Sequence, residues 1–397
     1  MSNKIKLLSD DAISQIAAGE VVEDPASVVK ELIENSLDAG ATSIAIDIEA
    51  GGFRLIRVAD DGSGIPRDEV LLAVERHATS KITSVDDVMR VATMGFRGEA
   101  LAAIGSVSKM RLLTSTGDEV SDVDVATARL SSGARMRGTT VEVASIFYNV
   151  PARRRFQKST KASGKDVHRV VMRAALATPS VSFQLTSDGA TVASYEAASR
   201  RERVTDVLGG DYVAFESPLG FFGAPSSARA SRSGQYLFVN GRPVFSPLVS
   251  RAIAEGYGTR LAPSTHPICA LFLDISPEMV DVNVHPQKRE VRFRDEGWVR
   301  EHVRASVAAS FVDTTKREAR EISLPKPEGV WSLPRPVLRE EGEWEEATLP
   351  MASSVVPIAS DGRYLFIDGA PLEHNGLVLI DLAAAHERVV YTALERG

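Results

Sequence analysis

Apolar positions along the first half of this chain switch between a helical period and a strand period. Asp10 to Val22 spaces them every three or four residues and predicts an amphipathic helix. After Asp24-Pro25, an N-cap followed by proline at the first helical position, Val28, Leu32, Ile33 and Leu37 repeat at the same spacing, and Gly40 marks the end. The period then drops to two. SIAIDIEA and FRLIRVAD alternate apolar and polar residues and meet at Gly51-Gly52, which predicts a hairpin. Gly138 to Val143 predicts another strand.

Beyond Pro151 the pattern predicts a helix over 165–178, strands in FQLTSD, GQYLFVNGRPV and ICALFLDIS, and helices over Ser246–Glu255 and Glu296–Phe311. From about Thr314 to Pro357 the chain is charged and dotted with prolines, which predicts a linker with little capacity for a core. GRYLFIDGAPL and GLVLIDLA then predict two strands, and AAHERVVYTALERG a helix.

With 397 residues the chain exceeds one compact core, and helices and strands mix as in an α+β protein. Its 44% hydrophobic and 25% charged residues are those of a globular protein. No apolar run approaches the ~20 residues of a membrane helix, and the N-terminus lacks a signal-peptide pattern. Cys269 is the single cysteine, so no internal disulfide is available. Together these set the expectation of a cytoplasmic protein with no membrane partner. The net charge of −7 hides one local reversal: Pro151 to Arg173 holds eight Lys or Arg residues against one acid, Asp166. Arg153, Arg154, Arg155, Lys158, Lys161, Lys165, Arg169 and Arg173 thus form a candidate footprint for phosphates, though a basic run is commonly a solvated face.

Three groups of residues have the makings of a site. Glu31, Asn35 and Asp38 share one face of the second helix. A carboxylate there suits deprotonation of water, and an amide oxygen suits Mg²⁺, but an isolated E-x-x-x-N is ordinarily a solvated polar face. Asp60-Asp61-Gly62-Ser63-Gly64-Ile65 follows a strand; its first carboxylate suits an exocyclic amine, and its glycines permit close approach of a flat ring. Alone it reads as an ordinary turn. Gly95-Phe96-Arg97-Gly98 precedes an apolar run and suits phosphate at a helix start. There is no G-x-x-x-x-G-K-[ST] segment.

In order, ELIENSLDAGA, DDGSGI, RHATSKI, GFRGEAL, GTTVEV, FYNVPARRRF and VDVNVHPQKREVRF resemble the motifs of the MutL family of GHKL ATPases, over residues 1 to about 312. The resemblance implies a GHKL (Bergerat-type) ATPase sandwich over 1–215, including its lid and the basic segment. A second α/β domain of ribosomal-S5-like type follows over 216–313, then a linker over 314–357 and an incomplete α/β segment over 358–397. It implies ATP and Mg²⁺ as cofactors. Glu31 is similar to the general base, Asn35 to the Mg²⁺ ligand with Asp38 beside it, and Asp60 to the carboxylate that reads adenine, next to Gly64. Thr79, Ser80 and Lys81 fall in the segment that helps build the pocket. Gly95, Phe96, Arg97 and Gly98 fall in the phosphate-cradling lid, with Leu101 in the helix behind it and Thr139 at the floor. Lys288 resembles a second-domain lysine that reaches the γ-phosphate.

The implied function is an ATP-dependent clamp and matchmaker in mismatch repair. Its implied partners are DNA bound without sequence preference, a MutS-type mismatch sensor, downstream effectors such as a helicase or nicking endonuclease, and a second copy gained with ATP. Asp381 to Arg388 resembles the opening of a dimerisation domain whose nicking members carry D-Q-H-A-x-x-E-x-x-x-x-E. Here Leu382, Ala383 and Thr392 replace the glutamine, the histidine and the last glutamate. The expectation is therefore an ATPase without nicking activity. A topoisomerase-type ATPase subunit and a chaperone of the same superfamily are the alternatives.

Overall fold

The computed structural model describes residues 22–75, 78, 100–209, 214–281 and 291–321, together with strands at 357–360, 364–368 and 377–381. The helix expected over Asp10–Val22 and the final one lie almost wholly outside these residues. Two compact units result, 1–323 and 324–397.

The first unit opens with helix α1 (Pro25–Asp38). Asp24 starts it by accepting the Ser27 amide at 2.8 Å, while Ser27 Oγ accepts the Asp24 amide at 3.1 Å. This reciprocal cap satisfies donors that a helix end otherwise leaves open. Val28, Leu32 and Ile33 are buried and Leu37 packs against the same core, as their spacing predicted. Strands β1 (Ser43–Glu49) and β2 (Leu55–Asp60) form the expected antiparallel hairpin through a turn at Ala50–Gly52. Next come a single helical turn, α2 (Val70–Ala73), and α3 (Ala100–Ser106). Strands β3 (Lys109–Ser115), β4 (Val120–Asp124), β5 (Arg129–Ser131) and β6 (Gly138–Ala144) follow. Helices α4 (Pro151–Arg155) and α5 (Thr160–Ala177) then lead into β7 (Ser182–Ser187) and β8 (Ala190–Tyr195). The helix expected over 165–178 begins five residues early because Ser159 caps it, its Oγ accepting the Ala162 amide at 3.3 Å.

These strands form one sheet in the order β5-β4-β3-β6-β2-β1-β7-β8. The pair β1–β7 is parallel and its other pairings are antiparallel. Alternation decides its faces. Ile44, Ile46, Ile48, Ile56, Val58, Val141 and Val143 point into a core closed by α1, α3 and α5. The other face carries charge: Asp47 stands opposite Arg57, Arg57 opposite Glu142, and Glu142 opposite Arg111. Arg57 Nε donates to Glu142 Oε1 at 2.8 Å, and Arg111 Nε to Asp122 Oδ1 at 2.8 Å. Opposite charges on facing strands favour this pairing.

Helix α6 (Arg200–Leu208) leads to a second sheet of β9 (Phe215–Ser217), β10 (Gly220–Phe222), β11 (Gln235–Val239), β12 (Arg242–Val244) and β13 (Cys269–Leu273). Its order is β12-β11-β13-β10-β9, and β13 is fully buried. Leu237, Cys269, Leu271 and Leu273 face helices α7 (Pro247–Tyr257) and α8 (Glu296–Glu321). Phe238, Ala270 and Phe272 face Leu176 of α5 and Val204 of α6. A strand covered on both sides reads as a continuous apolar run, and CALFL is one. Burial pushes the Cys269 thiol up to about 12. Helix α8 runs to Glu321, so helix occupies the first residues of the stretch read as linker. The short ladder β14 (Val280–Asp281) with β15 (Arg292–Phe293) brackets the segment that holds Lys288.

Helix α5 therefore serves both sheets, and a buried cation fixes its end. Arg203 of α6 is 0% exposed. Its guanidinium donates to the carbonyls of Ala175 (2.6 Å), Glu196 (2.6 Å), Val181 (3.0 Å) and Pro179 (3.2 Å). Ala175 lies in the last turn of α5, where the helix dipole favours positive charge.

In the second unit, β16 (Pro357–Ser360), β17 (Tyr364–Asp368) and β18 (Leu377–Asp381) form an antiparallel sheet. The pattern predicted β17 and β18; β16 begins at the last residue of the expected linker.

Candidate nucleotide site

The end of β2 meets the last turns of α1 at a buried carboxylate. Asp60 is 9% exposed. Its Oδ1 accepts the amides of Gly62 at 3.0 Å and Thr139 at 3.1 Å, and its Oδ2 accepts Ser36 Oγ at 2.8 Å. A carboxylate offers about four lone-pair sites, so one acceptor position remains, on Oδ2. The neighbouring Asp61 is exposed and turned away. It accepts the amides of Thr42 and Ser43 at 2.7 and 2.9 Å, bracing the start of β1. Burial is the largest single influence on Asp61 and would raise its pKa, but the Thr42 hydroxyl and the backbone amides together outweigh it, and the net shift is downward.

Backbone shape around Asp60 is set by two glycines. Gly64 has φ +72°, and a Cβ there would stand 2.0 Å from the Ser115 carbonyl oxygen. Gly138 has φ +123°, and its Cβ would stand 2.1 Å from the Asp60 carbonyl oxygen. Both positions exclude any side chain on steric grounds. Thr114 ties them together: its Oγ1 accepts the Ile65 amide at 2.9 Å and lies 2.9 Å from Thr139 Oγ1. Arg135 donates to the Asp60 carbonyl and to Thr140 Oγ1. Burial pulls the Arg135 pKa down, partly opposed by the Asp60 charge.

Glu31 lies earlier on α1, with its side chain 26% exposed. Lys30 Nζ bridges Glu31 Oε1 at 3.3 Å and Glu34 Oε1 at 3.1 Å. Burial raises the Glu34 pKa against the pull of Lys30. Burial would lower the Lys30 pKa, but the two glutamates hold it above its ordinary value. Asn35 is half-buried one turn after Glu31, and Asp38 ends the helix exposed. The structure thus joins Asp60 directly to Thr139, brings Gly64 to them through Thr114, and links Asp60 through Ser36 to the helix of Glu31, Asn35 and Asp38. Leu101 is half-buried on α3 and packs against the same core. Thr79, Ser80, Lys81, Gly95, Phe96, Arg97, Gly98 and Lys288 lie outside the described residues.

Ser36, Thr114 and Arg135 were not foreseen. Ser36 is one helical step from Asn35, on the buried side of α1, but no local spacing sets it against Asp60. Thr114 and Arg135 sit on or beside strands that the pattern did not separate.

Of the basic residues, Arg154, Arg155, Lys158, Lys161, Lys165 and Arg169 are exposed and Arg153 is half-buried. Several are already engaged. The Arg154 guanidinium stacks 3.7 Å from the Phe53 ring centroid, and that of Arg153 lies 5.3 Å from the Phe147 ring. Asp166 holds Lys158 at 2.6 Å and Arg169 at 2.9 Å. The Asp166 side chain is only 16% exposed while both cations reach solvent, and ion pairs near a surface add little stability.

Two family models match the chain. One, described as histidine kinase-, DNA gyrase B-, and HSP90-like ATPase, covers residues 23–149. The other, described as DNA mismatch repair protein, C-terminal domain, covers 217–311. DNA mismatch repair protein MutL of Pseudomonas fluorescens (strain SBW25) is 36% identical over 99% of this chain and 75% of its own length. The MutL of Geobacter sp. (strain M21) is 38% identical over 91% of this chain and 58% of its own length. The crystal structure of the N-terminal domain of a DNA repair protein superposes with a TM-score of 0.62 at 24% identity, covering 79% of this chain and 100% of that one, and so shares its fold. These matches favour the mismatch-repair reading over a topoisomerase subunit or a chaperone. The chain belongs to the MutL family of DNA mismatch repair proteins, and it is an ATPase with a domain of the histidine kinase, gyrase and HSP90 type.

Proposed function

We propose that this chain is an ATP-driven clamp of mismatch repair, and that the acceptor left open on Asp60 Oδ2 reads the adenine amine. That single lone pair carries the reading, because the other three acceptor positions of a buried carboxylate are already filled by fixed donors. Glu31 takes a proton from the attacking water, and Lys30 holds its carboxylate in place before reaction. Among the described residues, no group of three or more His, Cys, Asp or Glu side chains could hold a metal. The donor set fits Mg²⁺, which binds one or two protein oxygens and otherwise phosphate and water. The Asn35 amide oxygen is its protein ligand in this reading, and the ion supplies charge neutralisation on the phosphates. Lys288 answers the γ-phosphate from the second domain.

The domain division follows the same reading: ATPase over 1–215, second domain over 216–313, linker over 314–357, and part of a dimerisation domain over 358–397. The exposed cations of α4 and α5 bind DNA through phosphates, without sequence preference. ATP brings two copies together around the duplex, and hydrolysis releases them. A MutS-type sensor supplies mismatch recognition, and downstream effectors act on the closed clamp.

The deciding experiment compares ATP with inosine triphosphate, which lacks the amine. Direct titration should find the inosine nucleotide at least about tenfold weaker, as losing a hydrogen bond to a charged group implies. Equal affinities would remove Asp60 as the base reader.

A further inference from the structure

Phe156 closes the short helix α4 and is 90% exposed, more than any other large apolar side chain among the described residues. Its backbone, however, is fixed. The Phe156 amide donates to the Arg153 carbonyl at 3.2 Å. Next to it, the Gln157 side chain donates to the Glu23 carbonyl at 2.9 Å, pinning the corner to the start of α1. Two residues further on, Ser159 caps α5. The ring is therefore held out into solvent by a braced turn and does not hang from a loose loop.

Its surroundings are cationic. Arg155 precedes it, and Lys158 and Lys161 follow, all exposed. Arg155 and Lys161 form no ion pair with any described carboxylate. A ring projecting from a basic track is the arrangement by which proteins stack unpaired bases while neighbouring cations follow the backbone. A duplex offers phosphates to the same cations but keeps its base faces stacked on one another. Apolar protein partners would not require the cations, so charge complementarity favours nucleic acid as the occupant.

We propose that Phe156 is a stacking residue for unpaired nucleobases, so that this face takes single-stranded DNA as well as duplex. This rests on the proposed DNA-binding role of the basic segment and specifies its ligand. The test uses the full chain with a fluorescent oligo(dT) strand and with a duplex of the same length at fixed salt. Phe156→Ala should weaken oligo(dT) binding about tenfold, the loss expected for one stacked base, and leave duplex binding within about twofold. Phe156→Leu keeps an apolar side chain without the ring and should behave like Phe156→Ala. Phe156→Trp should retain binding, with its fluorescence quenched by the strand. Unchanged oligo(dT) affinity in Phe156→Ala, full activity in Phe156→Leu, or equal loss for strand and duplex would each overturn the stacking role. The double variant Arg155→Glu with Lys161→Glu checks the underlying reading separately. It should weaken both DNA forms; if it weakens neither, the basic face is not the DNA path, and the Phe156 variants still decide the stacking question.

Discussion

Asp60 and Arg203 are both buried charges, yet their surroundings differ in kind. Around Asp60, donors from α1, the turn after β2 and the start of β6 fill three acceptor positions and leave one. Around Arg203, four carbonyls from α5, the turn before β7 and the segment after β8 converge on the guanidinium. Neither group has an opposite charge bonded to it. The carboxylate stands at the end of a central strand and keeps one acceptor position open. The guanidinium stands at the joint between two sheets where protein completes nearly all of its shell, with only Nε lacking a partner. Burial of a charge thus signals either a site or a fastener, and the count and source of its hydrogen bonds separate the two.

Substitutions push the two sides of this contrast apart. The largest effect belongs to chemistry: Glu31→Ala should lower turnover about 10²–10⁴-fold while ATP still binds, measured by steady-state phosphate release and by titration. Turnover at the wild-type rate would remove Glu31 as the base. Arg203→Met should cost about 3–5 kcal/mol of stability, because several carbonyls lose their donor inside a packed joint. Denaturant unfolding reads this loss, and nucleotide affinity measured well below the new midpoint should stay near wild type. Asp60→Asn inverts the pattern. Its amide keeps the bonds on Oδ1 but turns Oδ2 into a donor, so ATP affinity should fall about 10–100-fold while stability changes by about 1 kcal/mol. Should Asp60→Asn unfold the protein while Arg203→Met does not, the roles are reversed and the contrast fails.

Smaller effects refine the picture. Thr114→Val removes the acceptor for the Ile65 amide and the partner of Thr139, and should cost about 1 kcal/mol in stability with a modest loss of ATP affinity. Arg57→Ala, on the open face of the sheet, should cost about 0.2–1 kcal/mol, and added salt should shrink the difference from wild type.

Much of the Asp60 side was legible before folding was considered. Asp24-Pro25, the spacing of Val28, Leu32 and Ile33, and Gly40 fixed α1; alternation fixed β1 and β2; and the glycines after Asp60 marked a turn that a ring can approach. The partners were not legible. Ser36 and Thr139 meet Asp60 because two strands and a helix converge there, and no local spacing encodes that meeting. Arg203 was less visible still. In RRERV it resembles Arg200 and Arg201, which stay exposed, and only the convergence of carbonyls in three dimensions selects it. The strands β3, β4 and β5 escaped because short polar turns and mixed alternation blur their period. The basic run was plain in composition, but nothing in composition revealed that Asp166 and Phe53 already hold three of its members.

The charged rows on the open face of the first sheet act as a frame-keeping device. Side chains alternate strictly, so sliding β2 by one residue would turn Arg57 into the isoleucine core and expose Ile56 and Val58. Arg57, set between Asp47 of β1 and Glu142 of β6, penalises such a slip in both pairings of β2 at once. What they protect lies at the far end of the strand. With β2 in frame, the Asp60 carbonyl meets the bare Gly138 and its carboxylate meets the Thr139 amide; one step out, neither contact exists. Surface charge on the open face thereby helps decide which atoms of β2 and β6 meet at Asp60.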